Sequence, residues 1–138
     1  MHMKVFINYA PKDEDLATEL VAQLEAAGLD AWFKKREILP GDNWAEKTSE
    51  GLKESDAMVV LLTPNSLESE AVQNNISYAL GDKSFNQRLI PVLVGDVEKF
   101  ASDRIPWILK RLKPVSLGKD SATNTAFNQI VQALKSAA

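Results

Sequence analysis

AMVVLL, residues 57–62, is the stretch that decides the fold. It is a continuous apolar run without alternating polar residues, which is typical of a strand covered on both faces in a parallel sheet. The following Thr63-Pro64-Asn65 ends the run, because proline cannot donate to a strand ladder. We therefore predict that residues 57–62 form the central strand of an α/β sheet.

Shorter apolar runs on either side of this stretch predict four more strands. They lie in KVFINYA at residues 4–10, in Leu29–Phe33, in Leu89–Val94 and in Val115–Leu117. Ala10-Pro11 ends the first of them. Pro91 lies inside the fourth run and predicts that this strand is near an edge of the sheet or that the proline is at its start.

Amphipathic stretches alternate with the strands and predict helices. The first begins at Asp13, which offers an N-cap oxygen, and ends at Gly28. The others are predicted from Trp44 to about Lys53 with Asn43 as cap, from Ser69 to Gly81, over Ile105–Leu112, and around Phe127, Ile130, Val131 and Leu134.

Strands that alternate with helices at short spacing imply right-handed crossovers and a parallel sheet. The fold class that follows is α/β: a flavodoxin-like three-layer sandwich whose five-stranded parallel sheet has the order 2-1-3-4-5, with helices on both faces. The length of 138 residues predicts one domain, residues 1–138.

Composition excludes several classes of function. A net charge of −3 provides no basic field for nucleic acid. The chain has no cysteine and one histidine, His2, so disulfides, thiolate metal sites and histidine catalysis are not expected. We predict no metal and no cofactor. No apolar run of about 20 residues is present, so no membrane contact is expected. The absence of cysteine favours a cytoplasmic location.

The polar residues that follow the first three strands should converge at one edge of the sheet, where ligands bind in such folds. They lie in Tyr9-Ala10-Pro11, Lys34–Asp42 and Thr63–Ser69. The cations Lys34, Lys35 and Arg36 could contact phosphates there, or form a solvated charged run. Trp44 is the candidate for stacking on a base, whereas Trp32 and Trp107 are predicted to be core.

Three segments together resemble the Toll/interleukin-1 receptor (TIR) domain family. They are KVFINYA at residues 4–10, GLDAWFKKREILPGDNW at residues 28–44 and SEAVQNNISYAL at residues 69–80. The resemblance implies self-association, with a loop made of Ile38, Leu39, Pro40, Gly41 and Asp42. It also implies a pocket for NAD⁺ or a related nucleotide, as substrate or ligand, with the residues Tyr9, Ala10, Phe33, Lys34, Leu39, Asp42 and Trp44.

Many members of the family hydrolyse or cyclise NAD⁺, and the resemblance assigns the catalysis to a glutamate in the helix after the third strand. Asn75 occupies that position here, and Ala71 replaces a tryptophan of the same motif. Relatives also commonly carry an aspartate where this chain has Lys34. Because an amide has no charge with which to stabilise an oxocarbenium-like ribose, we expect NAD⁺ cleavage to be weak or absent.

An alternative is an active NAD⁺ nucleosidase or cyclase that uses another carboxylate. Glu70, Glu37 and Asp42 are the candidates, with Glu68 a further neighbour. Glu70 should point away from Asn75, since five helical positions separate them by about 140°. Ser66 and Ser69 have no histidine to activate them and are interpreted as helix caps.

Overall fold

The computed structural model describes residues 3–82, 85, 88–95, 103, 105, 107–112, 114–117 and 124–136, without the Asn124 side chain. Its five strands form one parallel sheet in the order β2-β1-β3-β4-β5. The predicted fold class is confirmed. The described part of the chain contains no helix long and apolar enough to cross a membrane.

The strands are short and the helices connect them in sequence. The strands are β1 (Lys4–Asn8), β2 (Asp30–Trp32), β3 (Ala57–Leu62), β4 (Leu89–Val94) and β5 (Val115–Leu117). The helices are α1 (Glu14–Ala26), α2 (Lys34–Glu37), α3 (Trp44–Glu54), α4 (Pro64–Leu67), α5 (Glu70–Gly81), α6 (Trp107–Lys110) and α7 (Asn124–Ser136), and a 3₁₀ turn covers Pro11–Asp13.

The central strand β3 is buried along its whole length between β1 and β4. Its six apolar side chains alternate between two separate core clusters, one on each face of the sheet. Helices α1 and α7 pack on one face, and α3, α5 and α6 on the other. This two-sided burial explains why the sequence of β3 shows no polar alternation.

Pro91 lies near an edge of the sheet, as predicted, since β4 is the neighbour of the edge strand β5. The Gly95 N–H donates to Leu117 O, so alternate residues of β4, including Pro91, direct their nitrogens toward β5. The β5 ladder begins only at Val92, one residue after the proline. The missing N–H of Pro91 therefore removes no backbone hydrogen bond between β4 and β5.

Three other local predictions need correction. The connection predicted as a loop from Lys34 to Asn43 begins with the short helix α2, and a further helix, α4, follows β3. Trp107 is not core, because 67% of it is exposed. The predicted helix over Ile105–Leu112 is observed for Trp107–Lys110, and its predicted start at Pro106 lies outside the described residues.

Candidate functional site

An open hollow of about 290 Å³ lies at the carboxyl edge of the sheet, between β1, α3 and α5. The hollow is lined by residues from the ends of β1 and β2 and from α2, α3 and α5. They are Phe6, Ile7, Asn8, Tyr9, Trp32, Lys34, Trp44, Thr48, Ala71, Val72 and Asn75. Lys34 is the one charged residue in this lining, and no lining residue is acidic.

Two amides meet in the hollow. The Asn75 Nδ2 of α5 donates to the Asn8 Oδ1 of β1 at 3.3 Å. The Asn8 Nδ2 donates to the backbone oxygen of Val72 at 3.1 Å and lies 3.8 Å from the Met58 sulfur. Asn8 is only 2% exposed, so its polar atoms need these partners. The amide pair joins β1 to α5.

The Val72 carbonyl decides which way both amides face. A carbonyl only accepts hydrogen bonds, so Asn8 turns its NH₂ group toward Val72 and its oxygen toward Asn75. Asn75 must then donate to Asn8, and its own Oδ1 receives no hydrogen bond from the residues that the structure describes. Asn75 therefore has its neutral Oδ1 acceptor and one N–H left for the hollow.

The apolar wall of the hollow depends on a close approach between α3 and β2. The Trp32 ring stacks on Phe6 with centroids 4.7 Å apart and an interplanar angle of 6°. Gly51 of α3 lies directly against the Trp32 indole, where an added Cβ would overlap the ring. Only glycine allows α3 to pack this closely, and Gly51 and Leu52 are the buried residues of this helix.

Lys34 enters the hollow from the start of α2 and is half-buried. Its Nζ donates to the backbone oxygen of Tyr9 at 3.5 Å and lies 4.6 Å from the centroid of the Tyr9 ring. Burial lowers the pKa of Lys34, and the nearby Glu14 carboxylate partly opposes this. Within the described residues, no carboxylate forms an ion pair with Lys34.

The other two cations of the same segment are engaged elsewhere, which corrects the view of a three-residue phosphate cluster. Arg36 forms a bidentate pair with Glu25 at 2.9 and 3.1 Å and also donates to Ala31 O. Hydrogen bonding to Glu25 is the main cause that raises the pKa of Arg36. Lys35 lies 3.7 Å from Glu14. Lys34 alone of the three lines the hollow.

Residues 39–42 form an isolated type II turn next to the hollow. The Asp42 N–H donates to Leu39 O at 3.0 Å, and the Asp42 carboxylate accepts from the Leu39 N–H at 2.9 Å. Pro40 supplies the second position and Gly41, at φ 94°, the third, which requires positive φ. Leu39 is 60% exposed at this turn. The turn is ordered by its own residues.

The predicted nucleotide residues divide into two groups. Tyr9, Lys34 and Trp44 line the hollow, together with Asn75. Ala10 and Phe33 are buried in opposite core clusters, and Leu39 and Asp42 belong to the exposed turn, so these four lie outside the lining. Trp44 is 50% exposed, and Asn43 caps its helix by accepting from the Glu46 N–H, as predicted.

The carboxylates considered as substitutes for a catalytic glutamate also lie outside the lining. Glu70, Glu37 and Glu68 are exposed, and Asp42 is bonded within its own turn. Glu70 is in the first turn of α5, which begins as predicted after the cap Ser69. No three acidic or histidine side chains cluster as a metal site anywhere in the described ranges.

Sequence reasoning missed the role of Asn8 and the hydrogen bonds that join the loop after β1 to the loop after β3. Asp13 was predicted as a helix cap, but its carboxylate makes no capping bond and instead accepts from Thr63 Oγ1 at 2.6 Å and from Asn65 Nδ2 at 3.1 Å. Thr63 also forms a capping box with Ser66. The available signal for Asn8 was a polar residue at the end of an apolar strand, which indicates a buried amide with fixed partners.

Tyr9 faces the opposite layer from Asn8, since neighbouring strand residues point to opposite faces. Its ring contacts Phe33, with centroids 5.5 Å apart, and its buried hydroxyl has no hydrogen-bond partner among the described residues. The Lys35 backbone amide is close enough to lower its pKa slightly, but not in hydrogen-bond geometry. Burial dominates and raises the pKa of Tyr9 to about 12.

A flavodoxin-like sheet with a polar hollow beyond its carboxyl edge defines an α/β domain of the ligand-binding or signalling type. The chain belongs to the TIR domain family, whose sequence pattern matches residues 5–131. The family predicted from the three motif segments is thereby confirmed.

Three relatives illustrate the family. The stimulator of interferon genes protein of Magallana gigas is 30% identical over 132 residues, 94% of this chain and 30% of that protein. The probable 2′ cyclic ADP-D-ribose synthase TcpO of Methanobrevibacter olleyae is 26% identical over 101 residues, 70% of this chain and 30% of that protein. A metazoan TIR-STING receptor from C. gigas in complex with 2′,3′-cGAMP superposes with a TM-score of 0.77 at 28% identity, covering 94% of this chain and 38% of that one. This chain spans 30% of the length of the two curated relatives.

Proposed function

We propose that this chain is a TIR signalling and assembly domain with a nucleotide pocket in which NAD⁺ cleavage is weak or absent. The observation that carries the proposal is the amide pair: Asn75 donates to Asn8 in a hollow whose lining includes no acidic residue. We also propose a cytoplasmic location and no contact with nucleic acid or membrane, on composition alone.

The chemistry of the reaction explains why the amide matters. Loss of nicotinamide leaves positive charge on the ribose, and a carboxylate stabilises that charge or activates the attacking hydroxyl. A carboxylate in this role typically contributes about 10²–10⁴ in rate. The Asn75 amide is neutral and already donates to Asn8, so it supplies neither charge nor a base.

The alternative is an active enzyme, and the likeness to a probable cyclic ADP-ribose synthase favours it. It requires another carboxylate to reach the ribose. Glu70, Glu37 and Asp42 lie outside the lining of the hollow, so each would need a rearrangement of its segment first. For this reason we prefer the proposal of weak or absent cleavage.

The test is nicotinamide release from NAD⁺ at high protein concentration with a crowding agent. We expect none from the unaltered protein. Asn75→Glu alone would place a carboxylate oxygen against the Asn8 oxygen, because the Val72 carbonyl keeps Asn8 in its present orientation. Asn8→Ser removes this conflict, since a hydroxyl can donate. We therefore expect more activity from the double variant Asn8→Ser, Asn75→Glu than from Asn75→Glu.

Asn74→Glu is the matched control, because it adds the same charge to an exposed neighbouring position of α5 that does not line the hollow. It should release no nicotinamide. Release by the unaltered protein that disappears in Glu70→Ala or Glu37→Ala would instead establish the alternative. A double variant that folds but remains inactive would contradict the proposal that the hollow lacks only a catalytic carboxylate.

Assembly is the second part of the proposal, and the turn at residues 39–42 supports it. Ile38 is partly buried against the α3 and α5 side of the core, while Leu39 next to it is 60% exposed. A large apolar side chain on a turn stabilised by its own hydrogen bonds is suited to contact with another TIR domain. The loop Ile38, Leu39, Pro40, Gly41 and Asp42 is the proposed self-association surface.

A further inference from the structure

We propose that the hollow selects ADP-ribose-type ligands, adenine nucleotide diphosphates without a cationic base, over NAD⁺ itself. This inference rests on the proposed function, because it takes the hollow to be a nucleotide pocket. It adds to that function a preference of the pocket for a nucleotide without a positively charged base. The chain would accordingly bind the kind of molecule that NAD⁺ cleavage produces.

The first argument is the cation in the lining, which forms no ion pair with a carboxylate among the described residues. Three successive cations begin α2, and two of them form ion pairs with carboxylates of α1, Lys35 with Glu14 and Arg36 with Glu25. Lys34 instead contacts a carbonyl oxygen at 3.5 Å and the face of the Tyr9 ring. Neither contact carries a full negative charge, so the ammonium is available to attract a diphosphate.

The second argument is the absence of a negative group in the lining. NAD⁺ carries a pyridinium ring, and nothing among the residues lining the hollow offsets that positive charge. Lys34 adds a like charge, which disfavours a bound cation further. A ligand that has lost the base keeps both phosphates and removes the repulsion.

The third argument is the orientation of Asn75. The group left after loss of the base is a ribose hydroxyl, which donates a hydrogen bond. Asn75 has one of its two N–H donors engaged by Asn8 and its Oδ1 open, so this oxygen can accept from that hydroxyl. Toward a pyridinium ring, the same oxygen offers only a weak charge–dipole attraction. Trp44, half-exposed at the rim, offers a flat surface on which adenine can stack.

The experiment is a titration of the full chain with ADP-ribose and with NAD⁺ by calorimetry at one ionic strength. We expect ADP-ribose to bind more tightly by roughly tenfold. Lys34→Gln should remove most of this difference, and Lys34→Arg should retain it. Lys53→Gln is the matched control, since it deletes an exposed cation of α3 outside the lining, and it should leave both affinities unchanged.

Each other result has a defined meaning. Equal or tighter binding of NAD⁺ by the unaltered protein overturns the preference and leaves the nucleotide pocket intact. A preference that persists in folded Lys34→Gln also overturns the inference, because another group must then cause it. No binding of either molecule overturns both the inference and the nucleotide part of the proposed function. Nicotinamide release would contradict only the proposed loss of cleavage, and the two affinities would still decide the preference.

Discussion

Two loops leave the same edge of the sheet and are stabilised in different ways. The loop after β3 is buried: Thr63 is 4% and Ser66 0% exposed, and Asp13 of the neighbouring loop bonds to Thr63. The turn at residues 39–42 is exposed and bonded only within itself among the contacts described. One loop therefore depends on the fold, whereas the other is ordered without contributing to the core. The loop after β3 is therefore suited to form a rigid wall of a site, and the turn at residues 39–42 is suited to contact another protein.

The largest effect should come from breaking the buried loop. Thr63→Val removes the hydroxyl that donates to Asp13 and caps the Ser66 N–H, while keeping the side-chain shape. We expect a loss of about 2–4 kcal/mol in the free energy of unfolding, measured by urea denaturation. Asp42→Ala is the matched change in the exposed turn and should cost about 0.5 kcal/mol. Similar losses in both variants would contradict the comparison.

The buried side of this edge should also respond to alkaline pH through Tyr9. Burial raises the pKa of Tyr9 from 10.0 to about 12, so the folded state holds the phenol proton more tightly than the unfolded chain. Its contribution to stability is complete below pH 10.0 and is lost as the pH rises through about 12. Unfolding curves should show a smaller alkaline loss for Tyr9→Phe than for the unaltered protein. Equal losses would contradict this assignment.

A smaller effect is expected in the exposed turn. Gly41→Ala places a side chain at φ 94°, where nothing lies within 4 Å of the added Cβ, so the cost is conformational. We expect a loss of about 1 kcal/mol in the free energy of unfolding. Gly81→Ala is the control: its Cβ also meets open space, but without positive φ, and it should be neutral or slightly stabilising. A neutral Gly41→Ala would show that the turn is not held in this form.

The smallest effect on stability should accompany the largest effect on assembly. Leu39→Ser removes an exposed side chain and should change the free energy of unfolding by less than about 0.5 kcal/mol. We expect weaker self-association by light scattering across a concentration series. Leu80→Ser, on α5 and 44% exposed, is the control and should leave association unchanged. If both variants associate like the unaltered protein, the turn is not the assembly surface.

The fold was predictable because its strands are short apolar segments with clear ends. The bounds of β3, β4 and β5 agree with the sequence prediction. In β3 and β4 burial on both faces leaves an uninterrupted apolar run, whereas β5 has the exposed Ser116 between two buried residues. The position of Pro91 near an edge was predicted, but the reason why the proline is tolerated was not, because that depends on where β5 begins to pair. The prediction that Trp107 is a core residue was wrong, because an apolar sequence context does not determine which side of a short helix is buried.

The site was predictable only in part. The resemblance identified position 75, and strand ends identified Tyr9 and Lys34 as neighbours of the hollow. The partners of Asn8 and Asp13 lie 50 or more residues away in sequence, so no local pattern reveals them. The same holds for the separation of Lys34 from Lys35 and Arg36, which depends on two glutamates of α1.

The interlocked amides also constrain how this lineage can change. A glutamate arriving first at position 75 would meet the Asn8 oxygen, which the Val72 carbonyl holds in place. A change at position 8 arriving first would remove the hydrogen bonds with the Val72 carbonyl and with Asn75 and open the way for the acid. The order of the two substitutions therefore matters, because the effect of each depends on the residue at the other position.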